Sequence, residues 1–292
     1  MVSIGKKFKI SVLENAPLPI LGTINAYTAL LAESVGAQAI YLSGAGVANA
    51  SHGLPDLGMI ELADVLEDLR RINYSCKLPI LVDIDTGFGH ELKISRTIRS
   101  LEQAGAAAVH LEDQVAIKRC GHRPNKTIVS IQAMGDRIKA AVDARVDPDF
   151  VIMARTDAYA AEGLAAAIER IAYYIELGAD MIFPEALSTL DEYRQLTQQI
   201  NVPVLANITE FGKTPLFSRE QLKEAGVKLI LYPLSAFRAM SAAALDVYRT
   251  ILNEGTQSPV VLRMQTRDEL YDILNYRQFE KKIDEYREYE DE

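Results

Sequence analysis

Two acids, Asp83 and Asp85, end the run PILVDID two residues apart. In an extended strand, residues two apart point to the same face. Carboxylates held side by side repel each other unless a cation lies between them. The nearby candidates also offer oxygen: Glu112 or Asp113 of AVHLEDQ. No histidine pair or cysteine cluster provides a softer set. Hard oxygen ligands favour Mg²⁺ or Mn²⁺. With so few protein ligands, water and a substrate carrying carboxylate and hydroxyl oxygens would complete the shell.

The second chemical feature is KRCGHRPNK. It surrounds Cys120 with Lys118, Arg119, His122, Arg123 and Lys126, in a chain of formal net charge −9. Nearby cations favour a thiolate and fit the thiol for proton exchange. Gly121 lets the loop approach a ligand closely. Three readings stand side by side. The segment is a surface loop with an incidental cysteine, an anion-binding loop with Cys120 as bystander, or a loop whose thiol exchanges a proton with a polyanionic substrate. Cys76, in RINYSCKLP, reads as a small core residue.

Further polar residues end apolar runs: Ser43-Gly44-Ala45-Gly46, His110, Arg155-Thr156-Asp157, Glu185, Asn207 and Thr209, then Ser235 and Arg238. Ser, Thr, Asp and Asn at such places also serve as helix N-caps. Arg155, Arg238 and Arg267 are candidate carboxylate clamps, because guanidinium binds carboxylates through two parallel hydrogen bonds. Arg155 is the best placed, inside a strand-end run.

The elements that carry these residues repeat. SVGAQAIYL, QAGAAAVHL, ELGADMIFP and EAGVKLILYP each place a glycine between an amphipathic run and a short apolar run. Gly36, Gly105, Gly178 and Gly226 fit left-handed helix caps. The apolar runs that follow fit buried strands. Eight strand candidates result: ILGTINA, AIYLSGAG, ILVDIDTG, AVHLEDQ, FVIMARTD, MIFPEA, VLANIT and LILYPLSAF. Helical patterns separate them, which predicts a (β/α)8 barrel with its site at the C-terminal strand ends. A doubly wound open sheet is the alternative, but no GxGxxG follows the first strand. One barrel domain is expected over residues 1–292, its core at about 18–252 and a helical extension at 253–292. Leu270, Ile273, Leu274 and Tyr276 of the extension form an apolar stripe suited to a neighbouring subunit. The N-terminus does not read as a signal peptide and no apolar run approaches a membrane span, so a reducing cytoplasm is expected. The acidic balance argues against nucleic acid as a partner.

The chain resembles the 2-methylisocitrate lyases of the isocitrate lyase/phosphoenolpyruvate mutase superfamily from end to end. The resemblance rests on GTINAYTALLAESVGAQAIYLSGAGVA, GLPDLG, LVDIDTGFG, HLEDQ, KRCGHRPNK, FVIMARTDA, FPEA, LANITEFG, LYPLSAFRAM and MQTRDELY, in family order. KRCGH is the most specific. Isocitrate lyases typically carry Lys at Arg119 and are longer, and the mutase branch lacks the cysteine. The resemblance implies Mg²⁺-dependent retro-aldol cleavage of 2-methylisocitrate to pyruvate and succinate, with Mg²⁺ on Asp83 and Asp85. It implies substrate contacts from Ser43, Gly44, Ala45, Cys120, Gly121, Arg155, Glu185, Asn207, Ile208, Thr209, Arg238 and Arg267. Cys120 would be the proton donor. Arg119 and His122 lie beside it, His122 as a donor to developing charge. Tyr41, Asp56 and a water are alternatives for receiving the hydroxyl proton. Phe183, Leu231 and Pro233 would wall the methyl pocket. A homotetramer with exchanged C-terminal helices is implied as well. One departure is visible: the family commonly reads SGGG where this chain has SGAG, and alanine takes positive φ less readily than glycine. The rival readings are an isocitrate lyase-like enzyme, another superfamily enzyme such as a phosphonopyruvate-type mutase or oxaloacetate-type decarboxylase, and a barrel that binds organic acids without turnover.

Overall fold

Parallel strands need a crossover between them, and helices supply it through most of this chain. The computed structural model describes residues 2–119, 121 and 126–288. Helix α1 (Ile4–Glu14) leads into β1 (Leu18–Gly22), α2 (Ala26–Ser34) and β2 (Ile40–Leu42). A helical turn, α3 (Gly44–Gly46), runs into a π-helical turn at Val47–Ser51. Then follow α4 (Leu62–Ser75), β3 (Ile80–Asp83), α5 (Glu91–Gln103), β4 (Ala108–Glu112), α6 (Ile131–Ala144) and β5 (Val151–Thr156). The barrel strands finish with α7 (Tyr159–Glu176), β6 (Met181–Pro184), α8 (Leu190–Gln199), β7 (Leu205–Asn207), α9 (Arg219–Glu224) and β8 (Leu229–Tyr232).

All eight expected strands form, paired in parallel in the order β6-β5-β4-β3-β2-β1-β8-β7. A parallel bridge between Ile182 and Val204 joins the two ends, so the sheet closes as a (β/α)8 barrel. Gly36, Gly105, Gly178 and Gly226 take φ of 85, 97, 100 and 83°, the left-handed caps the repeat predicts. Capping boxes at Asn25, Thr189 and Ser218 begin α2, α8 and α9.

The strands sort their side chains by a period of two. One face joins Leu18, Ile20, Leu81, Ala108, Val151, Met153, Met181, Leu205 and Leu229 in the barrel interior, with Phe8 and Val12 of α1 in the same cluster. The other face joins Ile40, Leu42, Val82, Val109, Leu111 and Ile152 to helix residues such as Leu69, Ile98 and Ile138. Cys76 is fully buried in that outer cluster, as a small core residue.

By its internal contacts the chain divides into two units, one up to Ser235 and one from Ala236. The division falls at the start of α10 (Ser235–Glu254), whereas the sequence reading carried the barrel core to about residue 252. The second unit continues with a 3-10 turn at Ser258–Arg263, α11 (Arg267–Leu274) and α12 (Tyr276–Glu288). Within it, Tyr271 stacks on Tyr276 at 4.2 Å and Arg263 pairs with Asp246. No helix among the described residues is long and apolar enough to cross a membrane.

Candidate active site

The inward alternation does not stop where the apolar interior ends. Leu81 is followed inward by Asp83, Ala108 by His110 and Glu112, and Met153 by Arg155 and Asp157. Phe183 is followed by Glu185, and Leu205 by Asn207 and Thr209. All of these polar residues are buried.

The acid pair is held by backbone as well as charge. Asp83 accepts hydrogen bonds from Gly44 N (3.0 Å) and Asp85 N (3.1 Å). A Cβ on Gly44 would lie 3.1 Å from Asp83 Oδ2 and 3.4 Å from Asp85 Oδ1, so a glycine here opens space over both acids. Asp85 has φ 48°, a left-handed conformation uncommon for a residue other than glycine. Burial favours the neutral form of Asp83, but His110, Lys118 and Arg155 outweigh it and hold the carboxyl down at about 2. Burial and the Asp83 charge push Asp85 up to about 6, against the pull of Lys118. The Lys118 ammonium lies 2.6 Å from Asp85 Oδ1 and 2.5 Å from Asp56 Oδ1. These acids thus already draw a buried cation between them. The donor set is oxygen only, which fits a hard divalent ion. Among the described residues no group of three or more His, Cys, Asp or Glu converges as a metal cage, so such an ion needs water and substrate oxygens as well.

Arg155 is the centre of the opposite wall. Its guanidinium lies 3.1 Å from Glu112, 2.9 Å from Asp157 and 3.0 Å from Glu185, and 5.0 Å above the Phe183 ring. Lys126 reaches Asp157 at 2.5 Å, and Asn207 donates to Glu185 at 3.3 Å. Burial opposes the charge of Asp157, yet Arg155 and Lys126 hold that carboxyl below its usual range. Burial raises Glu112 well above its usual range, although Arg155 pulls it down.

The floor between the two walls carries Tyr41 and His110. The Tyr41 hydroxyl lies 2.9 Å from His110 Nε2 and 3.3 Å from Asp83 Oδ2. The rings stack, and His110 meets Phe183 edge-on. Burial lowers His110 to about 4, so the imidazole is neutral at pH 7. Burial, then Asp83, push Tyr41 well above its usual range.

The described residues after β4 meet these groups at Lys118, Gly121 and Lys126. The neck of this segment is a narrow antiparallel bridge of Gln114 with Ile128, flanked by bonds from Val115 N to Thr127 O and Val129 N to Asp113 O. Arg137 donates to the carbonyls of Glu112 and Gln114. Gly121 is buried, and a Cβ there would overlap the Glu185 carboxylate and the Arg155 guanidinium. Cys120 and His122 lie outside the described residues. The Arg119 side chain is exposed, whereas its neighbour Lys118 is buried.

Several expectations are changed by this geometry. Asp113 points away from the Asp83–Asp85 pair. It lies on the outer face, where it accepts from Thr156 Oγ1 (2.6 Å), Asp157 N (2.9 Å) and the Tyr174 hydroxyl (3.1 Å). Glu112 faces inward, but toward Arg155. Ile208 packs its side chain in the outer cluster, since it alternates with Asn207 and Thr209. Ala45 needs no positive φ, because SGAG forms the right-handed turn α3, and the glycine that matters for space is Gly44. Ser43 is buried beside it. Phe183 and Leu231 line the barrel interior, and Pro233 is half-buried beyond β8. Arg238 and Arg267 belong to the second unit, on α10 and α11. Sequence reasoning passed over Gln114 and left Lys118 among several cations. The period of two from His110 through Glu112 reaches Gln114, which was the available signal.

A family model described as phosphoenolpyruvate phosphomutase matches residues 11–252. The chain is 59% identical to the 2-methylisocitrate lyase of Vibrio cholerae, over 97% of this chain and 94% of that one. A crystal structure of 2,3-dimethylmalate lyase superposes with TM-score 0.89 at 31% identity, covering 96% of this chain and 94% of its own. Phosphonopyruvate hydrolase in complex with oxalate and Mg²⁺ superposes with TM-score 0.83 at 26% identity, covering 96% and 97%.

Proposed function

The chain belongs to the phosphoenolpyruvate phosphomutase family, in the superfamily that includes the isocitrate lyases, and from that premise we propose that it cleaves 2-methylisocitrate to pyruvate and succinate. It is then a carbon–carbon lyase of the methylcitrate route of propionate breakdown. The observation that carries this reading is the barrel mouth itself. An oxygen-only acid pair lies on one wall and a buried arginine on the other, with Lys118 against the first and Gly121 against the second. A tricarboxylate with a hydroxyl beside the cleaved bond suits both walls.

Asp83 and Asp85 are the residues to hold Mg²⁺. The ion, when bound, supplies Lewis-acid stabilisation of charge on substrate oxygen. The chain's own groups do the rest. Arg155 binds a substrate carboxylate, and Gly121 leaves the space in which the substrate meets it. The C2 hydroxyl gives its proton to a base, and the C2–C3 electrons pass to C3. Asp56 is the better of the two side chains for that proton, because Tyr41 holds its own tightly. Tyr41 and neutral His110 instead fix the floor. Asn207 and Thr209 donate to the developing succinate carbanion. Cys120 protonates C3, and Lys118 and its neighbours make the resulting thiolate tolerable. Ser43, Gly44 and Ala45 bind the pyruvate half, and Glu185 contacts the substrate beside Arg155. His122, Arg238 and Arg267 complete the assignment on family resemblance.

The protein assembles as a homotetramer with exchanged C-terminal helices and works in the cytoplasm. The exposed apolar side chains Tyr248, Leu252, Leu262, Phe279 and Ile283 of the second unit support such an assembly. A monomer by light scattering would refute it. The deciding test of function incubates the protein and Mg²⁺ with 2-methylisocitrate and, separately, isocitrate. Pyruvate from the first, with little glyoxylate from the second, is the expected result. No product from the first would end the reading.

A further inference from the structure

Gln114 has no part in the scheme above, yet its side chain is almost fully buried and fully used. Its Oε1 accepts from Arg119 N at 3.0 Å. Its Nε2 donates to Arg119 O at 2.9 Å and to Glu112 Oε1 at 2.9 Å. The carboxamide thus grips both backbone groups of one residue, as a neighbouring strand would, and ties that residue to the Arg155 cluster. The orientation of the amide is fixed by these partners, since the reverse would set donor against donor at Arg119 N. Its backbone is itself fixed by the bridge to Ile128 and by Arg137.

The gripped residue is the one that matters. Arg119 stands between Lys118, whose ammonium lies at the acids, and Cys120. Its side chain is exposed, while its peptide N–H and C=O are both taken by the Gln114 carboxamide. We propose that Gln114 is a positioning residue: its side-chain amide clamps the Arg119 peptide and so fixes the backbone next to Lys118, whose ammonium meets the acids, and next in sequence to Cys120. Methionine has nearly the same length and none of these bonds. Glutamate lacks both donors, and asparagine is one carbon too short to span from the neck.

The kinetic half of this inference rests on the lyase reading, and the exchange half does not. In wild-type protein without substrate, the Arg119 amide should exchange hydrogen on the order of 100-fold more slowly than its unfolded rate, read at single-residue resolution. In Gln114→Met that protection should vanish, while kcat falls ~100-fold and KM and the Mg²⁺ requirement stay within about threefold. Because a loss of folded protein would also lower apparent kcat at unchanged KM, kcat is counted per folded molecule, with the folded fraction read from the urea-unfolding baseline. Unprotected Arg119 in the wild type overturns the inference outright and needs no variant, so a Gln114→Met chain that fails to fold does not shelter it. Lost protection with native kcat, or reduced kcat with protection intact, also overturns it. Absence of lyase activity in the wild type would leave the exchange result standing on its own.

Discussion

The lower and upper halves of this barrel are built by the same strands on the same period of two, with opposite chemistry. Below, Leu18, Ile20, Leu81, Val151, Met181 and Leu229 fill the interior, and Phe8 and Val12 of α1 join them. Above, the inward positions Asp83, His110, Glu112, Arg155, Asp157, Glu185, Asn207 and Thr209 are all polar or charged. Four of the five described non-glycine residues with positive φ lie in loops that follow strands at the upper end: Asp85, Phe88, Ala186 and Phe211. The lower half stabilises the fold by burial, at roughly 25 cal/mol per Å² of apolar surface. The upper half carries desolvation costs that only mutual pairing offsets. Strain and buried charge therefore share one end of the molecule, and the other end holds the barrel closed against them.

Removing the centre of the upper half should have the largest effect. Arg155→Met leaves Glu112, Asp157 and Glu185 facing one another without their shared cation. Breaking such a buried set costs about 3–5 kcal/mol of stability. Turnover should also fall by more than ~10³-fold, because the substrate loses its carboxylate clamp. Urea unfolding and the pyruvate assay read the two losses separately. Turnover near the native level would mean that the upper half is held for structure alone. The matching change below is Phe8→Ala, which opens a cavity at a fully buried position. It should cost about 3–5 kcal/mol by urea unfolding and leave kcat per folded molecule unchanged. A fall in kcat there would erase the division between the halves.

Gly121→Ala sharpens the contrast from the loop side. The added methyl collides with the guanidinium of Arg155 and the carboxylate of Glu185, so the loop cannot seat. Turnover should fall ~100-fold with the unfolding midpoint unchanged, since little of the core is touched. A shifted midpoint with native turnover would show that Gly121 serves packing alone.

How much of this could be read beforehand follows the same division. The lower half was legible because buried parallel strands are continuous apolar runs, and glycine caps punctuate them. The acid pair was legible because period two extends past the apolar run to Asp83 and Asp85. The loop was not, because no periodicity decides which of two adjacent cations turns inward. Lys118 is buried and Arg119 exposed, and the sequence makes them equivalents. Asp113 was misjudged beside Glu112 for the opposite reason: applied one residue further, the alternation sends it outward, onto Thr156 and Tyr174. Gln114 stayed invisible because a neutral amide announces no chemistry until its partners are known.

The smallest predicted effect probes the boundary between the halves, at His110. This imidazole is fully buried between Tyr41, Asp83 and Phe183, with Arg155, Glu185 and Lys118 adding their charges. Its folded value of about 4 lies below the ordinary 6.5. As pH falls, the unfolded chain therefore takes up the proton first. Stability is complete above about 6.5 and declines through the window down to about 4. At pH 5 the loss from this one group is about 2 kcal/mol by linkage. Asp85, raised to about 6, works in the other direction as it takes up a proton in the folded state. Comparison with His110→Gln isolates the histidine, because Asp85 is present in both proteins. In chelator-treated protein, unfolding free energy between pH 7 and pH 5 should therefore drop about 2 kcal/mol less in His110→Gln than in wild type. Equal slopes would mean that His110 is solvated or already protonated when folded. It would then belong with the solvated mouth and not with the dry interior, and the boundary between the halves would lie one layer lower.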